Sequence, residues 1–190
     1  MVSERMRFVQ RMRVPIGFIF GVLFFIFAEA NISIAYIGIA ISGTGVLMRG
    51  WAAGHIRKNQ NLAVSGPYSH TRNPLYLGSF LMGLGLTLGF GAWWFPLVFV
   101  LLFLGLYIPV MRAEIDDLKS LFGEQFTMYA ANVPLFLPRI SPWNRSEVAF
   151  DWSLFVRYRE YRAAIGIALA WSFLLSKPYL LSLIKSFFEI

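Results

Sequence analysis

PLYLGSFLMGLGLTLGFGAWWFPLVFVLLFLGLYIPVM, residues 74–111, runs for 38 residues without one charged side chain. A helix crossing the hydrocarbon core of a bilayer needs about 20 apolar residues, with about 17 as the lower limit. The run therefore holds two short spans, about Leu75–Gly89 and Trp93–Met111, turning at Gly89-Phe90-Gly91. Trp93 and Trp94 fall where interfacial aromatics belong.

Upstream, the 35 residues from Val14 to Met48 carry a single charge, Glu29. Divided at Glu29–Asn31, they give spans at about Val14–Ala28 and Ile32–Met48. Downstream, Ala163–Ile190 is apolar but interrupted by Lys177-Pro178. A lysine at mid-bilayer costs about 2.5–3.5 kcal/mol on insertion scales. The segment is thus either a tilted fifth span with Lys177 snorkelling, which we favour, or a re-entrant or interfacial helix pair. The expected fold is an all-α integral membrane protein. It has four to five transmembrane helices and an amphipathic surface helix.

Composition agrees. The 190 residues are 57% hydrophobic and 14% charged, against roughly 25% charged in soluble domains. Disordered, fibrous and soluble globular classes are excluded, and the length suits one membrane domain, 1–190. Cysteine is absent, which removes disulfides, thiolate metal sites and a Cys nucleophile.

The net charge of +7 would suggest nucleic acid in a soluble chain. Here the basic residues follow the ends of apolar runs. Arg5, Arg7, Arg11 and Arg13 precede the first; Arg49, Arg57, Lys58 and Arg72 lie in the next polar stretch; Arg139, Arg145, Arg157, Arg159 and Arg162 lie in the third. The positive-inside rule puts all three stretches and the N-terminus in the cytoplasm, as in a bacterial inner-membrane protein. No small-residue cleavage site follows the first apolar run, so it does not read as a signal peptide. The partner expected is membrane lipid, not nucleic acid.

Small residues recur at helical spacing, Gly17/Gly21, Gly38/Ser42, Ser79/Gly83 and Gly85/Gly89, as close helix packing in lipid requires. The spans otherwise lack the polar groups of a channel or transporter. Polar residues concentrate in two stretches, Trp51–Tyr76 and Arg112–Arg139, which points to chemistry at the membrane surface.

In the first stretch, Ser65-Gly66-Pro67-Tyr68 is a turn signal. Pro74 pushes Asn73 out of the helical region and opens the third span at its N1 position. The N–H groups of that helix end suit a carboxylate or phosphate, and Arg72, Asn73 and Tyr76 surround it. In the second stretch, Ile115, Leu118, Phe122, Phe126 and Tyr129 form one face of an amphipathic helix. Glu114 stands where span becomes surface helix, and Pro134 and Pro138 bracket a segment that cannot continue it. His55 and His70 have no i,i+4 histidine partner, so no metal is expected.

Together these residues resemble the isoprenylcysteine carboxyl methyltransferase and phospholipid methyltransferase family. The resemblance rests on Ser65-Gly66-Pro67-Tyr68, Arg72-Asn73-Pro74-Leu75-Tyr76-Leu77-Gly78, Glu114, Leu118, Phe122-Gly123, Tyr129 and Val133-Pro134. It covers roughly Trp51–Arg139, the expected cofactor-binding core, with 163–190 as a C-terminal membrane segment. It implies a helical membrane enzyme using S-adenosylmethionine, with a cytoplasmic cofactor pocket and a lipophilic acceptor arriving through the bilayer. The cofactor-binding positions it implies are Gln60, Asn61, Leu62, Ala63, Tyr68, Asn73, Pro74, Leu75, Tyr76 and Glu114. His55 is a further cofactor-side candidate, and Arg72 and Arg112 are the candidate catalytic residues.

Two positions depart from the family's pattern. Asn73 stands where better-known members have His, and it cannot titrate near neutral pH. Val110 stands where the prenylcysteine enzymes have Arg, one turn before the glutamate; Arg112 lies roughly on the opposite face. Without that Arg, a prenylcysteine carboxylate is a weaker acceptor, and a lipid amine, hydroxyl or thiol stays open. Two other classes compete. One is a membrane reductase of the sterol type using a nicotinamide cofactor, for which 190 residues are few. The other is a non-enzymatic membrane scaffold.

Overall fold

The computed structural model describes residues 4–28, 31–57, 61–89, 93–143 and 148–188. Within them the chain forms six helices and no strand: α1 (Glu4–Phe27), α2 (Ile32–Ala53), α3 (Pro74–Gly89), α4 (Trp94–Asn132), α5 (Trp152–Arg157) and α6 (Tyr161–Phe188). A short 3-10 turn, Gly66–Ser69, precedes α3. Ser33–Ala53, Trp94–Asn132 and Tyr161–Phe188 are long and apolar enough to cross a membrane, and Val14–Phe27 and Pro74–Gly89 are shorter apolar helices. The protein is an all-α integral membrane protein. The expected turn at Phe90-Gly91, like Glu29, Lys58 and Arg145, lies outside the described residues.

Helices overrun the expected span limits wherever no breaker stops them. α1 begins at Glu4, ahead of Val14, and α2 continues past Met48 to Ala53. α4 is 39 residues long, about 58 Å at 1.5 Å per residue, so it spans the bilayer and continues beyond it as the surface helix. The continuation bends at Gly123, whose φ of 54° and ψ of −122° only glycine adopts readily. Past the bend, Phe126, Tyr129 and Val133 are buried in a cluster that includes Leu62, Val64, Ile115, Leu118, Phe122 and Trp143. The five residues of the expected amphipathic face thus share one apolar core.

α2 and α3 approach closely because glycine removes the side chains between them. A Cβ on Gly45 would lie 2.5 Å from the Gly78 carbonyl oxygen, and one on Gly38 2.5 Å from that of Gly85. Trp171 of α6 wedges into the far end of this crossing, against Gly38 and Gly89. Ser42 donates to the Met82 carbonyl at 3.2 Å. The expected pair Gly17/Gly21 has no such role, since a Cβ at either would meet nothing within 4 Å. Gly83 instead accommodates the Phe99 ring of α4.

The C-terminal segment is one continuous helix through Pro178, not a re-entrant pair. Lys177 explains how it tolerates a charge. Its ammonium donates to the carbonyls of Phe25 (3.0 Å), Ile26 (2.8 Å) and Ala28 (2.7 Å), the unpaired acceptors at the end of α1. The cation also complements the negative end of that helix dipole. Lys177→Met removes these donors and keeps most of the apolar stem. We expect it to cost about 1–3 kcal/mol of stability, the penalty for orphaned buried acceptors, read as a lower melting temperature in nanodiscs. Lys177→Arg should recover part of the loss.

Candidate functional site

The turn before α3 is held by the segment after α4, and the pairing is largely backbone. Arg72 N donates to the Pro134 carbonyl (2.9 Å), Arg139 N to that of His70 (2.9 Å) and Trp143 N to that of Ser69 (3.0 Å). Side chains add to it. Thr71 Oγ1 donates to the Phe136 carbonyl and Asn73 Nδ2 to the Leu135 carbonyl, each at 2.9 Å. The Tyr129 hydroxyl donates to the Tyr68 carbonyl at 2.7 Å. Pro134 and Pro138 keep residues 133–139 out of a helix, which frees those carbonyls for the turn.

This clamp sets the start of α3 beside α4. The Tyr76 hydroxyl donates to Glu114 Oε1 at 2.6 Å, joining two of the expected cofactor-binding positions. The Tyr76 ring packs on Tyr107, about two turns before Glu114 on α4, with centroids 5.3 Å apart. Val110 and Met111 are buried, whereas Arg112 is exposed on the side away from this pair.

Tyr68 lies deeper. It is 6% exposed, and its hydroxyl has no hydrogen-bond partner among the described residues; nor has the buried Nε of Arg72. Burial pushes the Tyr68 phenol far above its ordinary range, with Tyr129, Glu160 and Tyr158 adding to the shift and Arg49 opposing it. Burial likewise raises Tyr129, against the pull of Arg72, and lowers Arg72. A phenol raised on folding stabilises the native state fully below its unfolded pKa of roughly 10, and that stability is lost as pH rises above it. Tyr68→Phe should therefore shift the alkaline unfolding midpoint upward without lowering the melting temperature. Tyr129→Phe, which breaks a buried hydrogen bond, should lower the melting temperature by the equivalent of about 1 kcal/mol. Circular dichroism between pH 8 and pH 12 checks both.

An open groove of about 400 Å³ lies beside the cluster at the α4 bend. Its walls are Leu62, Val64, Phe122, Met128 and Trp143, with Asn61 and Gln125 as its amide groups. Asn61 and Leu62 thus line a cavity, while Gln60 lies outside the described residues. Ala63 is half-buried between them and the turn. Pro74 is buried and Leu75 half-buried at the start of α3. His55 packs its ring on Trp51 and Phe150 and places Nδ1 2.9 Å from the Trp51 carbonyl. Among the described residues, no three His, Asp or Glu side chains gather as metal ligands would.

The phospholipid methyltransferase family matches residues 16–125, more than half of the chain. The chain belongs to that family. The match takes in the turn, Tyr76 and Glu114, whereas the clamp partners from Tyr129 to Trp143 lie beyond it. Three relatives are each similar to part of the chain. The cobalt-zinc-cadmium resistance protein CzcN of Cupriavidus metallidurans is 38% identical over 112 residues, 58% of this chain and 50% of the relative. The nickel-cobalt-cadmium resistance protein NccN of Alcaligenes xylosoxydans xylosoxydans is 33% identical over 125 residues, 65% of this chain and 56% of the relative. The protein-S-isoprenylcysteine O-methyltransferase of Schizosaccharomyces pombe is 24% identical over 129 residues, 65% of this chain and 55% of the relative. The chain spans about half the length of the curated relatives it matches. No solved structure matches it.

Sequence reasoning did not single out Gln125 and Trp143, which line the groove together with Asn61 and Leu62. Nor did it single out Glu160, which pairs with Arg49 across 111 residues of chain. No local pattern marks such a partner. Its one trace is the low charge content, which makes any carboxylate between apolar segments worth attention.

Proposed function

We propose that this protein transfers a methyl group from S-adenosylmethionine to a lipophilic acceptor in the membrane, at the cytoplasmic face of a bacterial inner membrane. The observation that carries the reading is the 2.6 Å hydrogen bond from Tyr76 to Glu114 at the start of α3, inside the region that matches the family. The residues present fit the cofactor. Glu114 offers a carboxylate for its ammonium group, and Tyr76 orients that carboxylate. The N–H groups at the start of α3 suit the cofactor's own carboxylate. The groove suits a nucleoside, with apolar walls and the Asn61 and Gln125 amides as donors and acceptors.

When bound, the sulfonium supplies the electrophilic methyl group. The chain's own part is to bind, align and exclude water. Tyr76, Tyr107 and Glu114 form one contacting group where α3 meets α4, beside which an acceptor would be aligned. Asn73 is committed to the Leu135 carbonyl, so its role is to hold the clamp. Val110, buried one turn before Glu114, offers no cation to an acceptor carboxylate. That favours a lipid amine, hydroxyl or thiol over a prenylcysteine carboxylate. Two relatives are named for metal resistance, and the methyl-transfer reading needs no metal ligand in this chain.

Calorimetry of S-adenosylmethionine with detergent-purified protein tests the reading, followed by transfer of labelled methyl into a membrane lipid extract. Saturable binding with label in the lipid fraction supports it. Binding of a reduced nicotinamide cofactor in its place would overturn it in favour of a reductase, and no binding of either in favour of a scaffold.

A further inference from the structure

Arg49 joins three elements at the polar end of the bundle. From α2 its guanidinium pairs side-on with Glu160, Nε to Oε2 at 2.9 Å and Nη2 to Oε1 at 2.8 Å. Its remaining nitrogen, Nη1, donates to Ser79 Oγ at 2.6 Å and to the Leu75 carbonyl at 3.3 Å, in the first turns of α3. Ser79 Oγ in turn donates to the same Leu75 carbonyl at 2.9 Å. Leu75 directly precedes Tyr76, whose hydroxyl meets Glu114.

Three further features are arranged around this pair. The Glu160 side chain is only 10% exposed, so its charge depends on a partner. It is delivered by a tight turn in which Arg159 adopts a φ of 56°, a left-handed conformation that non-glycine residues rarely take. Gly78 makes room for the arginine, since a Cβ there would lie 2.6 Å from Arg49 Cγ. Glu160 lies beyond residue 125, where the family match ends, so the pairing is supplied by the C-terminal part of this chain.

We propose that Arg49 and Glu160 are positioning residues for the Tyr76–Glu114 pair. Glu160 holds the guanidinium flat against α3, and the guanidinium fixes the first turn of α3 so that Tyr76 points at Glu114. Lysine cannot substitute, because one ammonium lacks the planar fork that reaches Glu160 and α3 at once. What the Tyr76–Glu114 pair does for the cofactor rests on the methyl-transfer reading; how it is aimed does not.

The test places 3-fluorotyrosine at position 76 and records its 19F resonance in nanodiscs for the wild type, Arg49→Lys, Glu160→Gln, Glu160→Asp and Ser79→Ala. Melting temperature and S-adenosylmethionine affinity are measured on the same samples. The expected result is a shifted or split Tyr76 resonance in Arg49→Lys and Glu160→Gln at temperatures where both are folded. Affinity should fall at least fivefold in both, and Glu160→Asp should recover part of each effect. A lowered melting temperature with an unmoved resonance would mean a structural clamp only and would overturn the proposal. Should Arg49→Lys or Glu160→Gln fail to fold, Ser79→Ala decides by the same criterion, since it leaves the ion pair intact. A wild type that binds no S-adenosylmethionine, with resonances that still shift, would sink the methyl-transfer reading and leave the positioning role standing.

Discussion

Glu114→Gln will weaken S-adenosylmethionine binding at least tenfold, about 1.4 kcal/mol, with little change in melting temperature. The substitution is nearly isosteric, so the half-buried side chain keeps its packing against Tyr76 and loses only its charge. A charge-assisted contact to the cofactor's ammonium is roughly twice as strong as a neutral one, which makes the charge the larger loss. Tyr76→Phe leaves the charge and removes the donor at 2.6 Å; its effect should be smaller, about threefold to tenfold. If the two act on one contact, the double variant will lose less than the sum of the single losses. Calorimetry on the four proteins closes the cycle. Unchanged affinity in Glu114→Gln would remove the carboxylate from the cofactor site.

Gly45→Leu will unfold or severely destabilise the protein, whereas Gly105→Ala will leave its melting temperature unchanged or raise it. Both glycines lie inside apolar helices, and a composition argument treats them alike. A Cβ at Gly45 would stand 2.5 Å from the Gly78 carbonyl oxygen and 2.7 Å from the Met82 nitrogen, both backbone atoms that cannot rotate away. The α2–α3 crossing would have to open, carrying α3 away from Arg49 and from Glu114. Overpacking typically costs about 1–3 kcal/mol, and a branched side chain against backbone belongs at the top of that range or beyond. At Gly105 a Cβ meets nothing within 4 Å, so the gain in helix propensity, about 1 kcal/mol in water, is unopposed. Thermal unfolding in nanodiscs separates the cases. An unperturbed Gly45→Leu protein would mean that α2 and α3 are not in contact there.

Much of the site was legible because its residues are close in sequence to a hydropathy boundary. The polar stretch before Pro74 and the glutamate after Met111 each mark the end of an apolar run. Spans of similar length, traversed in opposite directions, bring such ends to the same face. That reasoning put Tyr76 and Glu114 at one membrane surface, and the 2.6 Å bond between them is its product. Helical spacing also put Arg112 opposite Glu114, and Arg112 is exposed. It could not see that Asn73 spends its amide on the Leu135 carbonyl, an outcome that depends on the path of a turn and a distant segment, which periodicity does not encode. Lys177 shows the same division. Its cost in lipid was plain from its neighbours, but its partners are three carbonyls of α1, about 150 residues away.

Run length and composition establish an all-helical membrane protein and the grouping of its polar chemistry at span ends, because transfer of apolar surface out of water depends on nothing else. Kinship with methyltransferases rests on the order and spacing of short motifs, which are equally local. Which glycines are contacts, where the Gly123 bend sends the surface helix, and that Arg49 meets Glu160 are properties of the packed helices. Each of these depends on the rotation and crossing of helices whose surfaces are apolar all round. Steric fit and the pairing of a few buried charges then select one arrangement among many of equal hydropathy.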